Sequence, residues 1–459
     1  MEKEVAWKKY KKADLDELNE LTDDYKDFIS KAKTEREITK EVIMRAKKMG
    51  FVNLNEYIKE NKEIVPGDKI YVNNRGKAVA LFVIGEEDLE DGMNILGAHI
   101  DSPRLDLKAN PLYENEVFSY FDTHYYGGIK KYQWVTMPLA IHGVIVKKDG
   151  EKVNVCIGEN SKDPVLGITD LLPHLAEEQM KKTASKVVEG ENLDLLVGSI
   201  PINDNNKEEQ VKRTILKILK DKYDVEENDF LSAELEVVPA GVARDFGLDR
   251  SMVMAYGQDD KVCAFASLRA FLKVENPRRT ISCILVDKEE IGSVGSTGME
   301  SDFYINALSE IHELLGNNYV SVSRTLSNSY MLSSDVNSAY DPLYADVMDK
   351  NNSSFLGRGL VFNKFTGARG KSGSNDADAE YIAKIRKVMD DNNVSFDISE
   401  LGKVDVGGGG TIAYILANKC VHVIDAGVPV LSMHAPWEVT SKADIYESYK
   451  GYIAFLEEM

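Results

Sequence analysis

The stretch Val286-Asp287-Lys288-Glu289-Glu290-Ile291-Gly292-Ser293 follows the apolar run 281–285 and places two adjacent glutamates where that run gives out. Successive side chains along a strand point to opposite faces, so neighbouring carboxylates ordinarily diverge. Where a strand runs out into a glycine-containing loop the chain can bend, and both can reach one point. One could then bind a metal ion while the other moves a proton. Two solvated loop glutamates are the commoner meaning of such a pair, and alone it carries no function.

Four further stretches have the same character. His99-Ile100-Asp101 ends the short apolar run before it. A metal-binding imidazole needs its other ring nitrogen held, and Asp101 offers a carboxylate for that; a histidine and an aspartate satisfied within a turn compete with this reading. Gly257-Gln258-Asp259-Asp260-Lys261 precedes a helical pattern. An aspartate there is either a helix N-cap or, with two oxygens, a bridge between two cations. Asp335, in Ser333-Ser334-Asp335-Val336-Asn337, and His434, in Leu431-Ser432-Met433-His434-Ala435-Pro436-Trp437-Glu438, follow two more predicted strands. A helix cap and a packed histidine are the bland alternatives. Taken together, His99, Asp259, Glu290, Asp335 and His434 all fall just past apolar runs, and open α/β sheets bind ligands at the carboxyl ends of their strands.

The elements that must position these residues alternate between helix and strand. Leu15, Leu18, Leu21, Tyr25 and Phe28 share one helical face over 13–31. Thr34 and Glu37 fit a capping box opening a second helix, which Gly50 stops. Strands are expected at 69–72, 78–84 and 94–99. From about residue 106 to about 248 strand-like runs dominate: 139–147 and 152–157 about an Asp149-Gly150 turn, then 195–200 and 235–238. The charged stretch 204–229 carries a helical pattern at Val211, Ile215, Leu216 and Leu219. After Asp260 the alternation returns, with a helix on Val262 to Leu272, a strand at 281–286, a helix near 299–315, a strand near 330–333, a helix over 377–389, a strand at 421–424 and a closing helix over 445–456. This pattern predicts an α/β fold with a mixed, mainly parallel sheet and helices on both faces, formed by 1–105 and 249–459. Residues 106–248 are expected to form an inserted β-rich domain.

Composition narrows the partners. The 459 residues are 43% hydrophobic and 29% charged, too many for one ordinary core. A net charge of −20 argues against a nucleic acid or an anionic membrane surface as the main partner. Cys156, Cys263, Cys283 and Cys420 are far apart, so neither a thiolate zinc site nor a disulfide framework is expected. No run is long enough to span a bilayer, and the first residues lack the apolar core of a signal peptide, so a cytoplasmic location is expected.

The ordered set GAHIDSP, GQDDK, DKEEIGS, SSDVNSAYDP and MHAPWE resembles the aspartyl aminopeptidase family, a group of co-catalytic two-zinc exopeptidases, nearly end to end. The resemblance implies a zinc-peptidase fold and an insert that makes a dimer contact, with dimers building a dodecamer. It implies one metal on His99, Asp259 and Asp335 and another on Asp259, Glu290 and His434. Asp101 would then orient His99, and Glu289 would act as general base on a water between the metals. Such ligands suit two Zn²⁺, with Mn²⁺ or Co²⁺ as substitutes. Leu172-Pro173-His174-Leu175 resembles a family segment whose histidine reaches the neighbouring subunit's active site; a surface or core histidine is the competing reading of His174.

The implied activity is removal of the N-terminal residue from peptides, with Asp or Glu as the expected preference. Arg369 or Lys371 could pair an acidic substrate side chain; a solvated basic loop is the competing reading of both. The chain departs from the family in 338–342, where a histidine is often found and Ser338-Ala339-Tyr340-Asp341-Pro342 stands instead. Two alternatives stand beside this reading: a non-catalytic cage-forming assembly protein, and a glutamyl or deblocking aminopeptidase of the same clan.

Overall fold

The structure, a computed structural model, describes residues 4–459. The chain divides into two compact units. The first runs to Asp101 and continues in Ala243–Met433 and Glu438–Met459; the second is Ser102–Val242 with His434–Trp437.

The first unit is built on a nine-stranded sheet among the described residues. From edge to edge its strands are Val52–Asn53, Lys69–Asn74, Ala78–Val83, Thr280–Val286, Met93–His99, Tyr330–Ser333, His422–Gly427, Leu360–Asn363 and Phe396–Ser399. The four from Thr280–Val286 to His422–Gly427 are mutually parallel. Strands covered on both faces read as continuous apolar runs, and Ala78–Val83, Met93–His99 and Thr280–Val286 are buried at every residue. Their side chains alternate between two cores. Val79, Leu81 and Val83 enter one, with the helices Lys12–Lys31, Glu35–Lys48, Gln258–Lys273, Ala379–Asp391 and Lys442–Glu458. Ala80 and Phe82 enter the other, with Leu54–Glu60, Phe303–Leu314, Tyr319–Ser327 and Ala413–Ala417. The predicted mixed sheet with helices on both faces is therefore what forms.

The Thr34 capping box forms as the sequence predicts. Thr34 Oγ1 accepts the Glu37 N–H at 3.3 Å, and Glu37 Oε2 accepts the Thr34 N–H at 3.2 Å. The helix expected near 299–315 begins at Phe303, and a second helix, Tyr319–Ser327, follows it. A five-stranded sheet (Arg244–Phe246, Met252–Ala255, Glu438–Ser441, Pro429–Leu431 and Asn337–Ser338) completes this unit.

The second unit is a six-stranded sheet with every neighbouring pair antiparallel. The amphipathic helix Gln210–Tyr223 buries Val211, Ile215 and Leu219. It lies so close that a Cβ on Gly198 would come within 2.7 Å of Ile215 Cδ1. The division falls at 102 and 242 rather than 106 and 248. Arg104–Asn115 already belongs to the six-stranded sheet, while Arg244–Phe246 pairs with Met252–Ala255 in the first unit. His434–Trp437 joins the second unit because Trp437 lies against Gly241 and His434 against Gly128.

Among the described residues no helix is long and apolar enough to cross a membrane. All four cysteines are free, with Cys263 and Cys283 buried.

Candidate metal centre

Three parallel strands, Thr280–Val286, Met93–His99 and Tyr330–Ser333, end side by side. Val286 is paired with His99, and Ser333 with Gly97. Register therefore brings Glu289 and Glu290, His99, and Asp335 out at one sheet edge.

His99 is buried, and both ring nitrogens have carboxylate neighbours. Nδ1 stands 3.1 Å from the Asp101 carbonyl oxygen and 3.3 Å from Asp101 Oδ1. Nε2 stands 3.2 Å from Asp259 Oδ1 and 3.9 Å from Glu289 Oε2. With the Nδ1 proton given to Asp101, the ring aims Nε2 at Asp259. Asp101 does more than orient this ring: Oδ1 accepts the Glu289 N–H and Oδ2 the Glu290 N–H, each at 3.2 Å. One buried carboxylate thus ties the ends of two adjacent strands together.

The chain bends after Val286 because Lys288 and Gly292 both adopt left-handed dihedrals (φ 71° and 96°), bracketing the short turn Glu289–Ile291. The bend removes the alternation that would send the two glutamates apart. Their carboxylates and the His99 ring offer ligand atoms that all lie within 4.8 Å of one another. His99, Asp260 and Asp335 form a second such group.

Asp259 and Asp260 sit at the start of Gln258–Lys273, joined by a cis peptide and outside helical dihedrals. Neither is a simple helix cap. The Asp259 N–H donates to Glu438 Oε2 at 3.0 Å. Gln258 fixes the same turn: its Nε2 donates to the Glu438 and Val253 carbonyls at 2.7 and 3.2 Å, and its Oε1 accepts the Tyr25 hydroxyl at 3.0 Å. Gln258, Asp260 and Glu438 all stood inside the quoted motifs, yet sequence reasoning gave them no role; Tyr25 registered only as a helix-face residue.

Electrostatics marks the cluster as a cation site. Burial alone would depress the His99 pKa, but Asp101, Asp259 and Glu289 outweigh it and hold the imidazolium well above its ordinary range. Burial, then the facing Asp260, pushes the Asp335 carboxyl up. Carboxylates gathered this tightly favour a bound positive charge. Imidazole nitrogen with carboxylate oxygens is a zinc donor set, so the residues fit that ion.

Of the remaining candidates, His434 and His174 lie in the second unit, and Arg369 and Lys371 in the first. His434 follows Ser432 in a tight loop where both have left-handed dihedrals (φ 63° and 60°), between the strands Pro429–Leu431 and Glu438–Ser441. Its Nδ1 is 2.8 Å from the Gly128 carbonyl oxygen, which fixes the ring. His174 is exposed in the turn Pro173–Leu175, flanked by exposed Leu171, Leu172 and Leu175. In the basic loop Lys371 is paired with Asp376 at 2.9 Å, while Arg369 is exposed.

Comparison with known proteins adds an independent line. Residues 28–456 match the family model described as aminopeptidase I zinc metalloprotease (M18). The chain is 58% identical, over 98% of its length and 97% of the relative's, to a probable M18 family aminopeptidase 1 of Clostridium acetobutylicum. Its structure is similar to that of aminopeptidase I from the same organism (TM-score 0.92, 54% identity, 99% of each chain). An M18 aminopeptidase structure from Thermotoga maritima matches all of both chains, with TM-score 0.95 and 45% identity.

Proposed function

The chain belongs to the family of aminopeptidase I zinc metalloproteases (M18) and is a metal-dependent aminopeptidase, and from that premise we propose how its own residues remove an N-terminal residue from a peptide. The observation that carries the proposal is the convergence of His99, Asp259, Glu289, Glu290 and Asp335 at the ends of adjoining strands and the following helix turn. One zinc ion is assigned to His99, Asp259 and Asp335, and a second to Asp259, Glu290 and His434, with Asp259 shared; Mn²⁺ or Co²⁺ are the substitutes. When bound, such a pair lowers the pKa of a water, polarises the scissile carbonyl and stabilises charge on the tetrahedral intermediate.

The protein's part is positioning and proton transfer. Asp101 holds the His99 tautomer and, through two N–H groups, the turn that carries both glutamates. Glu289 stays off the ions, takes the proton of the attacking water and passes it to the leaving amine. Its side chain keeps 17% of its surface exposed, which leaves it open to water and substrate. Glu290 is the ligand of the pair.

N-terminal Asp or Glu is the assigned preference, with Arg369 as its cationic partner, since Lys371 is held by Asp376. The second unit is assigned the dimer contact, dimers assemble to a dodecamer, and His174 is assigned to the neighbouring subunit's substrate site. Four free thiols suit a cytoplasmic location. Assignment to the glutamyl or deblocking enzymes gives way to the family match, and the non-catalytic reading to a complete set of ligand and base positions.

The test is hydrolysis of a peptide panel differing only in the N-terminal residue, with zinc and after its removal. Fastest turnover of Asp or Glu peptides, lost with the metal and cut tenfold or more in Arg369→Ala on acidic peptides alone, is the expected result. A panel led by an apolar residue, unchanged in that variant, removes the acidic preference and leaves the aminopeptidase reading intact.

A further inference from the structure

Asp260 has no place in the ligand set above, yet it has no exposed surface at all. Its Oδ2 accepts the main-chain N–H of His99 at 3.2 Å. Its Oδ1 is buried and accepts no hydrogen bond of ordinary geometry, with the weak donor thiol of Cys263 set against the carboxyl. Ligand-type atoms of Asp260, His99 and Asp335 all lie within 4.8 Å of one another. A buried acceptor without a donor is destabilising, the more so when charged. A residue serving packing alone would be replaced by an apolar side chain of similar size at no such cost.

Two roles would account for the open oxygen: direct ligation of an ion, or bracing of the groups that ligate it. The bond to His99 separates them. A carboxylate that already grips the main chain of one ligand restrains that ligand before any ion arrives. We propose that Asp260 is a positioning residue of the metal centre, fixing the His99 main chain through Oδ2. Neighbouring strands deliver His99 and Asp335, and Asp260, from a different part of the chain, holds the His99 main chain in place. The inference rests on the reading that this site holds divalent ions.

The test is zinc titration of the metal-free full-length protein against a competing chromophoric chelator, with thermal unfolding of each metal-free form as a folding control. Asp260→Asn keeps the shape and an acceptor for His99. It is expected to bind both ions within about threefold of the wild type, whereas Asp260→Ala loses 10–100-fold at one ion and little at the other, as removal of a supporting group does. In Asp260→Ala kcat falls while KM stays near the wild-type value, and Asp260→Asn rescues kcat. Should the Ala protein fail to fold, Asp260→Ser takes its place with the same expectation. Wild-type affinity for both ions in the Ala or Ser variant overturns the proposal. So does an Asn variant that loses the ion as fully as Ala, because charge and direct ligation would then be what matters. A wild-type protein that binds no zinc contradicts the metal reading itself, a result distinguishable from any loss confined to the variants.

Discussion

Two groups of buried acid lie in the first unit and have opposite characters. Around the helix Lys442–Glu458, every carboxylate oxygen of Asp444 and Glu447 has a donor. Asp444 accepts the N–H groups of Gly357 and Gly359, both at 2.7 Å, and Glu447 accepts the Ser395 N–H at 2.6 Å and the Tyr10 hydroxyl at 2.9 Å. At the carboxyl edge of the large sheet, Asp259 and Glu289 face the His99 ring, Asp260 faces Asp335, and Asp260 Oδ1 accepts no hydrogen bond of ordinary geometry. Burial of acid is common to both groups and therefore identifies neither as a site. What separates them is whether the backbone answers the charge or leaves it for a cation. The first arrangement holds loops against a helix; the second suits a cation.

The comparison can be broken at either end. The largest expected effect is Glu289→Gln, which should lower kcat by roughly a thousandfold or more while zinc content and the unfolding midpoint stay put. Steady-state kinetics with metal analysis checks this; comparable turnover removes Glu289 as base, and a large stability loss would place it with the structural acids.

Asp425 sharpens the contrast, being only partly answered: Oδ1 accepts the Thr411 hydroxyl at 2.7 Å, while Oδ2 is buried and accepts no bond of ordinary geometry, with the Ser333 hydroxyl set against the carboxyl. Burial raises its pKa to about 6. The folded state therefore binds this proton more tightly than the unfolded chain. Its stabilising effect is complete below about pH 4, and is lost as pH rises through about 6. Over some two pH units that is about 3 kcal/mol. Asp425→Asn should be more stable than the wild type above pH 6 by up to this amount, with the difference shrinking towards pH 4. Denaturant unfolding across pH 4–8 measures it, and parallel curves for the two proteins refute the assignment.

The smallest effect is expected at the satisfied group. Asp444→Asn exchanges one charge-assisted acceptor for a misplaced donor and should cost on the order of 1.5 kcal/mol in denaturant unfolding. Zinc binding should be unchanged; a lost ion would show the two groups to be coupled after all.

Much of this arrangement was legible in the sequence because it follows from strand ends. Apolar runs located the strands around His99, Glu289 and Asp335, and parallel pairing then placed their ends together. The Glu289–Glu290 bend followed from a glycine-containing loop, though nothing in the letters marked Lys288 as left-handed. Less legible were contacts set by tertiary packing alone. The short strands Leu360–Asn363 and Phe396–Ser399 are too brief to show a period. Tyr25 reaches Gln258 across 233 positions, and the Asp260 bond to His99 crosses 161, so no local pattern could announce either. The double duty of Asp101 likewise depends on sheet register, which emerges only when the strands are paired.

The most direct measurement of the central claim is anomalous diffraction at the zinc edge from crystals of the zinc-loaded protein. Two peaks sharing Asp259 are predicted, one bounded by His99 and Asp335 and the other by Glu290 and His434, with Glu289 coordinating neither. A single peak, a peak away from these side chains, or Glu289 within bonding distance of zinc would contradict the account.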